Sequence, residues 1–482
     1  MTLVLLRWSE EGVSRLGTVK RAESDVRWRA ALGLELNGCT PCEKTLRHFE
    51  AFLRAPHPAC DRPRYLVFFE HCVRLCMDNQ LLAHTPLWAM DSTPMWCYGA
   101  VKDTVRLLGD GVAQLARLWS RAAGVAMAEL AQAWTLPHLL AKSTKGAFRI
   151  DWRDQQARDT VLDGLARGVL AAVQFVRESI DQVARSKRKR LLRLCRHLVR
   201  VIAQDLESDG QGRMVLAQRV ARERLISITE PQARHGRKSR KQPFNGFKLH
   251  VLGDVMSGLI TSLTVTGGNT HDGSVAHRLV RRAMQLYDEL TRVLGDSAYG
   301  GAALRYTLRT EQSVQLVTPP LAPTAAKGKM GRDTIRIDFD TRQATCANGV
   351  TAGNPRQVFS REHQRDTWEY NWPSEVCQKC PLREPCNGSR STGHRARLHP
   401  YEQELRAARA DWEQPAIRDI YRERSKCERL LHRMIQHGAR KARAWGLAAA
   451  HLQAHCIATI CNLGLLAKAL AQQALQPVLL AA

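Results

Sequence analysis

The period of the apolar residues changes at Phe247, and this change constrains the fold more than any other feature of the chain. Apolar and polar residues alternate over 247–254, a turn follows at 256–258, and the alternation resumes over 259–266. This pattern predicts a hairpin of two half-buried strands. Short apolar runs at 86–90, 292–296 and 313–317 add further strands, and helical spacing separates them. The sequence therefore predicts an α/β fold with a sheet of mixed direction.

Helical spacing dominates most of the chain outside these strands. We predict a helical N-terminal domain over 1–84 and the first part of the core over 85–320, with a helical insertion at about 102–225. Residues 321–400 lack periodicity and contain four cysteines, which indicates a separate cysteine-rich insertion. Residues 401–482 return to helical spacing and are predicted to complete the core.

The charge of the chain indicates a polyanionic partner. Its 72 Lys and Arg residues outnumber its 46 Asp and Glu residues, for a formal net charge of +26. An apolar content of 44% supplies a packed core and excludes a disordered basic protein. Basic runs at 185–193, 235–241 and 440–443 could each follow a phosphate backbone, although such runs are also typical of solvated helix faces. We expect DNA contact.

No membrane association is expected from the sequence. The most apolar segment, 448–482, is interrupted by His451, Gln453, His455, Asn462 and Lys468, and is interpreted as a buried helix. The first six residues are too short for the apolar part of a signal peptide. We therefore expect a cytoplasmic protein associated with the nucleoid, in which the cysteines stay mostly reduced.

Three acidic residues lie where exposed carboxylates would be useful. Asp91 and Asp296 each end a predicted strand, and Glu428 lies in a helix predicted over 417–436. Tyr421 and Arg424 share one face of that helix with Glu428. Such a carboxylate trio could hold two Mg²⁺ ions, or Mn²⁺, because these ions prefer hard oxygen ligands. Taken singly, each motif is also typical of a turn, a loop or a solvated helix face.

A second group of residues suggests a structural metal. The cysteine-rich insertion contains Cys346 and the closely spaced Cys377, Cys380 and Cys386. Four thiolates can close a tetrahedral Zn²⁺ site and so organise a segment that has no large core of its own. Four reduced thiols and an iron–sulfur cluster are the alternatives.

Several segments, in their order along the chain, resemble bacterial insertion-sequence transposases of the DDE class, which have an RNase H-like core. The resemblance runs from about residue 11 to 470 and lies in the combination of motifs. The motifs are 26–34 (VRWRAALGL), 91–94 (DSTP), 99–104 (GAVKDT), 235–239 (HGRKS), 244–250 (FNGFKLH), 269–272 (NTHD), 295–300 (GDSAYG), the Tyr421, Arg424 and Glu428 set, and 438–443 (GARKAR).

The resemblance implies a role for each motif residue. Asp91, Asp296 and Glu428 would be the metal-binding triad. Auxiliary positions near the triad or the DNA backbone would be Tyr421, Arg424, Lys102, His271, Arg440 and Arg443. The family carries a basic residue seven positions after the glutamate, where this chain has Ile435, and Arg433 could substitute for it.

The resemblance also implies a reaction. Metal-dependent hydrolysis of a phosphodiester at the end of the element would free a 3′-hydroxyl, which would then attack target DNA, with the protein assembled as a homo-oligomer on that DNA. A two-metal nuclease without strand transfer and a catalytically inactive DNA-binding relative are the alternatives. The helical domain of the family usually begins further upstream, so residues 1–84 resemble a shortened form of it.

Overall fold

The computed structural model describes residues 1–239, 241–322, 325, 327–361, 364–387 and 393–480. The helices in these ranges are α1 (Thr2–Ser9), α2 (Arg15–Ser24), α3 (Val26–Leu32), α4 (Glu43–Arg54), α5 (Arg64–Asp78), α6 (Thr104–Ala123), α7 (Met127–Ala133), α8 (Thr144–Ala147), α9 (Gln155–Glu178), α10 (Arg185–Asp205), α11 (Gly273–Met284), α12 (Ala302–Gln312), α13 (Ser374–Gln378), α14 (Arg383–Asn387), α15 (Glu402–Glu413), α16 (Pro415–Arg422), α17 (Cys427–Gln436) and α18 (Leu447–Leu480). The strands are β1 (Trp88–Trp96), β2 (Leu206–Ser208), β3 (Met214–Leu216), β4 (Arg234–Ser239), β5 (Gln242–Asp254), β6 (Ile260–Gly267), β7 (Arg292–Leu294), β8 (Gln315–Val317), β9 (Arg336–Asp338), β10 (Gln343–Thr345), β11 (Arg356–Ser360), β12 (Arg365–Asn371) and β13 (Arg395–Leu398).

The central sheet has mixed strand direction, as the sequence predicts. Strand β5 pairs antiparallel with β1 on one side and with β6 on the other, so β5 and β6 form the expected hairpin. Strands β1, β7 and β8 are parallel neighbours. Strand β4 pairs with the first residues of β5. Gly246 lies where β5 crosses from β4 to β1, and a Cβ there would be 2.4 Å from the Cys97 nitrogen and the Met95 oxygen.

Strand β1 is longer than the sequence suggests, and this corrects the prediction that Asp91 ends a strand. Asp91 is the fourth of nine residues in β1 and pairs with Val251. The strand continues because its antiparallel partner β5 runs alongside it as far as Trp96. Its parallel pairing with β7, in contrast, stops at Ala89. Asp91 therefore lies just beyond the end of the parallel pair.

Each face of the sheet has its own apolar cluster. One cluster joins alternate residues of the strands to α17, α18 and the N-terminal helices. The other joins the remaining strand residues to α11 and α12. Because side chains alternate along a strand, Ala89 faces the first cluster and Met90 the second. The N-terminal helices thus belong to the same core as the sheet.

The two segments predicted to be insertions each have a separate apolar cluster. Helices α6, α7, α9 and α10 pack around one centred on Trp119, Trp134 and Leu198. The cysteine-rich segment has a smaller one that includes Ile335, Tyr370 and Trp372.

The helix predicted over 417–436 is not a single α-helix. Residues 415–422 form α16, Glu423–Lys426 form a 3₁₀ turn, and α17 begins at Cys427. The backbone stays right-handed through both junctions. Arg424 therefore lies in a tighter turn than Glu428, and the two do not follow one regular helix face.

Among the described helices, α18 is long and apolar enough over Leu447–Ala474 to cross a membrane by length and composition alone. The polar residues that interrupt it do not bring its mean hydropathy below that of a spanning helix. Half of its most apolar stretch is nevertheless buried inside the molecule, where it packs against α1, α5 and β6. A helix buried in a large core has this composition as well.

Candidate active site

Asp91 and Asp296 come together through the register of two parallel strands. Ala89 of β1 pairs with Leu294 of β7, and both residues face the α17 side of the sheet. Asp91 follows Ala89 by two positions in β1, which returns its side chain to that same face, and Asp296, in the loop after β7, reaches the same Arg424 guanidinium as Asp91 does. The two carboxylates consequently lie side by side at the end of the parallel pair.

Glu428 approaches the aspartates from the helix that covers this face. It is exposed on the first turn of α17, while Leu430, Leu431 and Met434 of the same helix are buried in the core beneath. All three carboxylates line one open cavity of about 430 Å³. The other residues lining it are Ser92, Thr93, Pro94, Arg237, Lys238, Phe244, Lys248, Asp272, Arg424, Leu431, Ile435 and Arg440.

Arg424 lies between the two aspartates. Its Nη2 is 3.2 Å from Oδ2 of Asp91 and 4.0 Å from Oδ2 of Asp296. The Asp91 side chain is 17% exposed and that of Asp296 is 40% exposed. Burial raises the pKa of Asp91 to about 6; Arg424 and the Ser92 amide oppose this rise, and Asp296 and Asp272 add to it. The site therefore holds a carboxylate whose charge is poorly solvated and only partly compensated.

A fourth carboxylate, Asp272, joins the cavity from the start of α11. It accepts hydrogen bonds from Ser92 Oγ at 3.0 Å and from Lys248 Nζ at 2.8 Å. Lys248 also donates to the Thr270 carbonyl at 2.9 Å, which fixes the ammonium group in the cavity wall. Sequence reasoning missed both Asp272 and Lys248, although each lies inside a quoted motif.

Cations border the cavity on the side of β4. Arg237 and Lys238 are exposed on this edge strand, and Arg440 comes from the segment after α17. That segment is held beside β1, since the Trp96 amide donates to the Arg440 carbonyl at 2.7 Å and the Ala442 amide to the Trp96 carbonyl at 2.8 Å. Arg240, in the same basic run, lies outside the described residues.

Buried Arg305 fixes the loop that carries Asp296. Its guanidinium donates to the carbonyls of Gly300 and Leu316, at 3.2 and 2.8 Å, and also to Thr318. These bonds tie the loop after Asp296 to β8. Asp296 itself accepts from the Ala298 amide at 3.0 Å and so caps the Ser297–Tyr299 turn. Tyr299 is fully buried beneath the site.

The structure places three of the predicted auxiliary residues outside the cavity lining, and their role at the DNA backbone stays a prediction. Lys102 pairs with Asp110 at 2.7 Å on α6. The His271 ring accepts from the Gly273 amide at 3.2 Å and caps α11.

Arg443 is the third of these residues. Its half-buried guanidinium donates to the carbonyls of Arg7, Glu10 and His437, at 3.2, 2.8 and 3.0 Å, and lies over Trp8. Its donors are directed at the backbone of the N-terminal helices, so it links the two ends of the chain.

The other residues singled out around Glu428 differ in whether they line the cavity. Tyr421 packs edge-on against Trp412, and burial raises its pKa, with contributions from both aspartates. Ile435 lines the cavity. The Arg433 guanidinium binds the Gly258 carbonyl in the turn between β5 and β6 and is not part of the cavity lining. Arg440 lines the same cavity as Ile435.

The donor chemistry of the cavity fits divalent cations, but the ligands are not gathered around one point. Carboxylate oxygens are the ligands that Mg²⁺ and Mn²⁺ prefer. Within the described residues, however, no three carboxylate, imidazole or thiol side chains lie close enough together to hold an ion. The Arg424 guanidinium lies where the two aspartates would have to approach one another.

The four cysteines of the insertion lie in one region, and they too do not form a metal site within the described ranges. Cys346 and Cys377 pack against the small apolar cluster. Burial raises the pKa of Cys386, and the thiols of Cys377, Cys346 and Cys380 raise it further. The thiols are thus near enough to affect one another, but the predicted zinc site is not supported by this arrangement.

Comparison with known families identifies the class of protein. A family model described as a transposase DDE domain matches residues 219–463, which is half of the chain. The chain belongs to the DDE transposase family. Searches of curated proteins and of solved structures found no match. Asp296 and Glu428 lie inside the matched range, whereas Asp91 precedes it, so its place in the site depends on the geometry of β1 and β7.

Proposed function

We propose that this protein is a transposase that cleaves DNA at the ends of an insertion sequence and joins the freed ends to target DNA. The convergence of Asp91, Asp296 and Glu428 on one cavity carries the proposal. The three residues are far apart in the sequence, and a sheet and a covering helix bring them together. The membership of the chain in the DDE transposases supports the same function and implies DNA binding.

We assign the three carboxylates as ligands of two Mg²⁺ or Mn²⁺ ions, and DDE transposases generally use divalent ions. When bound, such ions supply Lewis-acid stabilisation and a nucleophilic water for phosphoryl transfer. Asp91 offers oxygens from β1, Asp296 from the loop after the adjacent β7, and Glu428 from α17.

Basic side chains of the cavity would position the DNA. Once Asp91 acts as a ligand, Arg424 is free to turn its planar donor fork to a phosphate oxygen. Lys248 keeps a fixed positive charge because Asp272 and Thr270 hold it. Ser92 donates to Asp272 and Tyr299 is buried, so neither hydroxyl is placed as a nucleophile. The proposed nucleophiles are water and the freed 3′-hydroxyl, so the proposed reaction needs no covalent protein–DNA intermediate.

The same proposal extends to the architecture. We propose an RNase H-like core, supported by the antiparallel β6, β5 and β1 joined to the parallel β7 and β8, with α17 beside β1. The separate clusters of the helical and cysteine-rich segments support their assignment as insertions at 102–225 and 321–400. We also propose, from the number and spacing of Cys346, Cys377, Cys380 and Cys386 in the sequence, a structural Zn²⁺ site that forms only when the ion binds.

The test is incubation of the full chain with Mg²⁺ and DNA duplexes that carry the element ends, scoring cleaved and joined products. Replacing Asp91 or Asp296 with asparagine, or Glu428 with glutamine, should abolish both products and leave DNA binding nearly unchanged, since binding depends on phosphate contacts elsewhere. Asp419→Asn is the matched control, because Asp419 is exposed on α16 and pairs with Arg422.

Each contrary outcome has a distinct meaning. Cleavage without joining would identify a two-metal nuclease. Binding without cleavage by the unaltered chain would identify an inactive DNA-binding relative. Cleavage retained by one of the amide variants would remove that residue from the active site.

A further inference from the structure

A second open groove, of about 730 Å³, lies between the helical insertion and the core. Helix α10 forms one wall, and β4 together with the segment after α17 contributes to the other. The charged and aromatic residues that line it are Arg190, Arg193, His197, Arg200, Arg234 and Trp445, and none of its lining residues is acidic.

The positive charge of this groove is organised by the helix. Arg190, Arg193, His197 and Arg200 follow one another at intervals of three or four residues, so they form one stripe along α10. The three arginines are exposed, and within the described residues neither Arg190 nor Arg193 takes part in an ion pair. Burial lowers the pKa of His197, and Arg193, Arg200 and Arg196 lower it further. Arg234, in contrast, pairs with Glu223 at 3.0 Å, so the uncompensated positive charge of the groove lies on the α10 stripe.

The groove lining includes one member of an exposed aromatic pair, Trp445. Trp445 is 62% exposed and Tyr98 is 50% exposed, and their ring centroids are 5.3 Å apart in an edge-on arrangement. Large aromatic side chains with this exposure are typical of binding surfaces, where the ring body packs and the polar tip hydrogen-bonds.

Two chain segments connect this groove to the catalytic cavity. Strand β4 contributes Arg234 to the groove and Arg237 to the cavity, and three residues of strand span about 10 Å. The segment after α17 contributes Arg440 to the cavity and Trp445 to the groove, and five residues reach at most about 18 Å. A rod-shaped polyanion can therefore contact both sites at once.

We propose that the groove binds the backbone of duplex DNA about three to five base pairs from the phosphate in the cavity, at a rise of about 3.4 Å per base pair. The helical insertion then acts as one side of a clamp. The position of the cleaved phosphate follows from the proposed function, whereas DNA binding by the groove is tested separately.

The test compares two double variants of the full chain that lose the same charge. Arg190→Gln with Arg193→Gln alters the groove, and Lys189→Gln with Arg196→Gln alters exposed residues of α10 outside its lining. Binding to a fluorescein-labelled duplex of about three helical turns is measured against KCl concentration in EDTA. By counterion release, the groove variant should lower the log–log salt slope by about 1.8, and the control variant should keep the wild-type slope.

An unchanged slope in the folded groove variant would overturn the proposal, and so would an equal loss in the control. Trp445→Phe gives a second readout that leaves the charges in place. DNA should quench more tryptophan emission in the wild-type chain than in this variant, and equal quenching would argue against the groove. Because EDTA prevents cleavage, these results are independent of the cleavage assay, in which failure would count against the catalytic proposal instead.

Discussion

Replacing Asp91 with asparagine should make the metal-free protein more stable while abolishing its proposed cleavage. The carboxylate is mostly buried, and the nearby Arg424 compensates it only in part. Burial raises its pKa from 3.8 to about 6. Ionised Asp91 is therefore less stable in the folded state than in the unfolded state, which lowers the free energy of unfolding. An uncharged amide of the same size removes this cost.

The magnitude follows from the two pKa values. A rise from 3.8 to about 6 corresponds to about 3 kcal/mol of lost stability when the group is ionised in both states. Because the folded pKa lies above the unfolded one, the penalty is complete above about pH 6 and absent below about pH 4. Asp91→Asn should thus gain up to about 3 kcal/mol at pH 7, and almost nothing near pH 4.

The free energies of unfolding of the wild-type and Asp91→Asn chains are compared in urea and EDTA. Hydrogen exchange of the β1 and β5 amides monitors the unfolding, so the core is measured separately from the helical insertion. Asp296→Asn is the control, since its side chain is 40% exposed and its charge is better solvated. Adding Mg²⁺ should stabilise the wild-type chain and not the Asp91 variant. The reasoning is refuted if Asp91→Asn is less stable than wild type at pH 7, or if its gain is equal at both pH values.

Two further predictions concern residues with contrasting environments. Arg443→Ala should lower the free energy of unfolding by about 1–3 kcal/mol, because buried carbonyls lose their donor, and should keep the wild-type salt dependence of DNA binding. Arg440→Gln should leave the free energy of unfolding unchanged and lower the log–log salt slope of DNA binding by about 0.9. The opposite pattern in either variant would contradict the assignment of Arg443 as structural and of Arg440 as a DNA contact. For the cysteine-rich segment, metal analysis should find about one Zn²⁺ per wild-type chain and less after Cys380→Ser, and a metal-free wild-type chain purified under reducing conditions without chelator would refute the zinc site.

Local patterning predicted most strands of the central sheet but missed β4, whose residues were interpreted only as part of a basic run. Alternation over 247–266 predicted the hairpin of β5 and β6, and the short apolar runs at 292–296 and 313–317 predicted β7 and β8. The position of Asp91 within its strand was predicted wrongly, since the end of β1 is determined by β5, which comes from a distant part of the chain. The break at Arg424 was missed as well, because helical spacing does not distinguish a 3₁₀ turn from an α-helical one.

Side-chain roles were predicted less well than backbone elements, for a related reason. Arg443 and Arg440 belong to one basic motif, and only tertiary packing directs one of them to the N-terminal helices and the other to the cavity. Asp272 resembles an ordinary residue at the start of a helix. The available signal was its proximity in sequence to strand β6, which pairs with the strand that carries Lys248.

The packing of α18 against α1 and α5 has a consequence for the order of folding during synthesis. Asn462 of α18 bonds through its side chain to both backbone groups of Ile260 in β6, at 3.0 and 2.8 Å, so the last long helix completes the sheet as well as the N-terminal layer. Chains emerge from the ribosome N-terminus first. The two aspartates are therefore made long before Glu428 and before the core that holds all three can close. A nascent chain that has not yet exposed α17 and α18 has its first helices and most of its sheet without their covering, and it acquires a complete site only after both helices have been made.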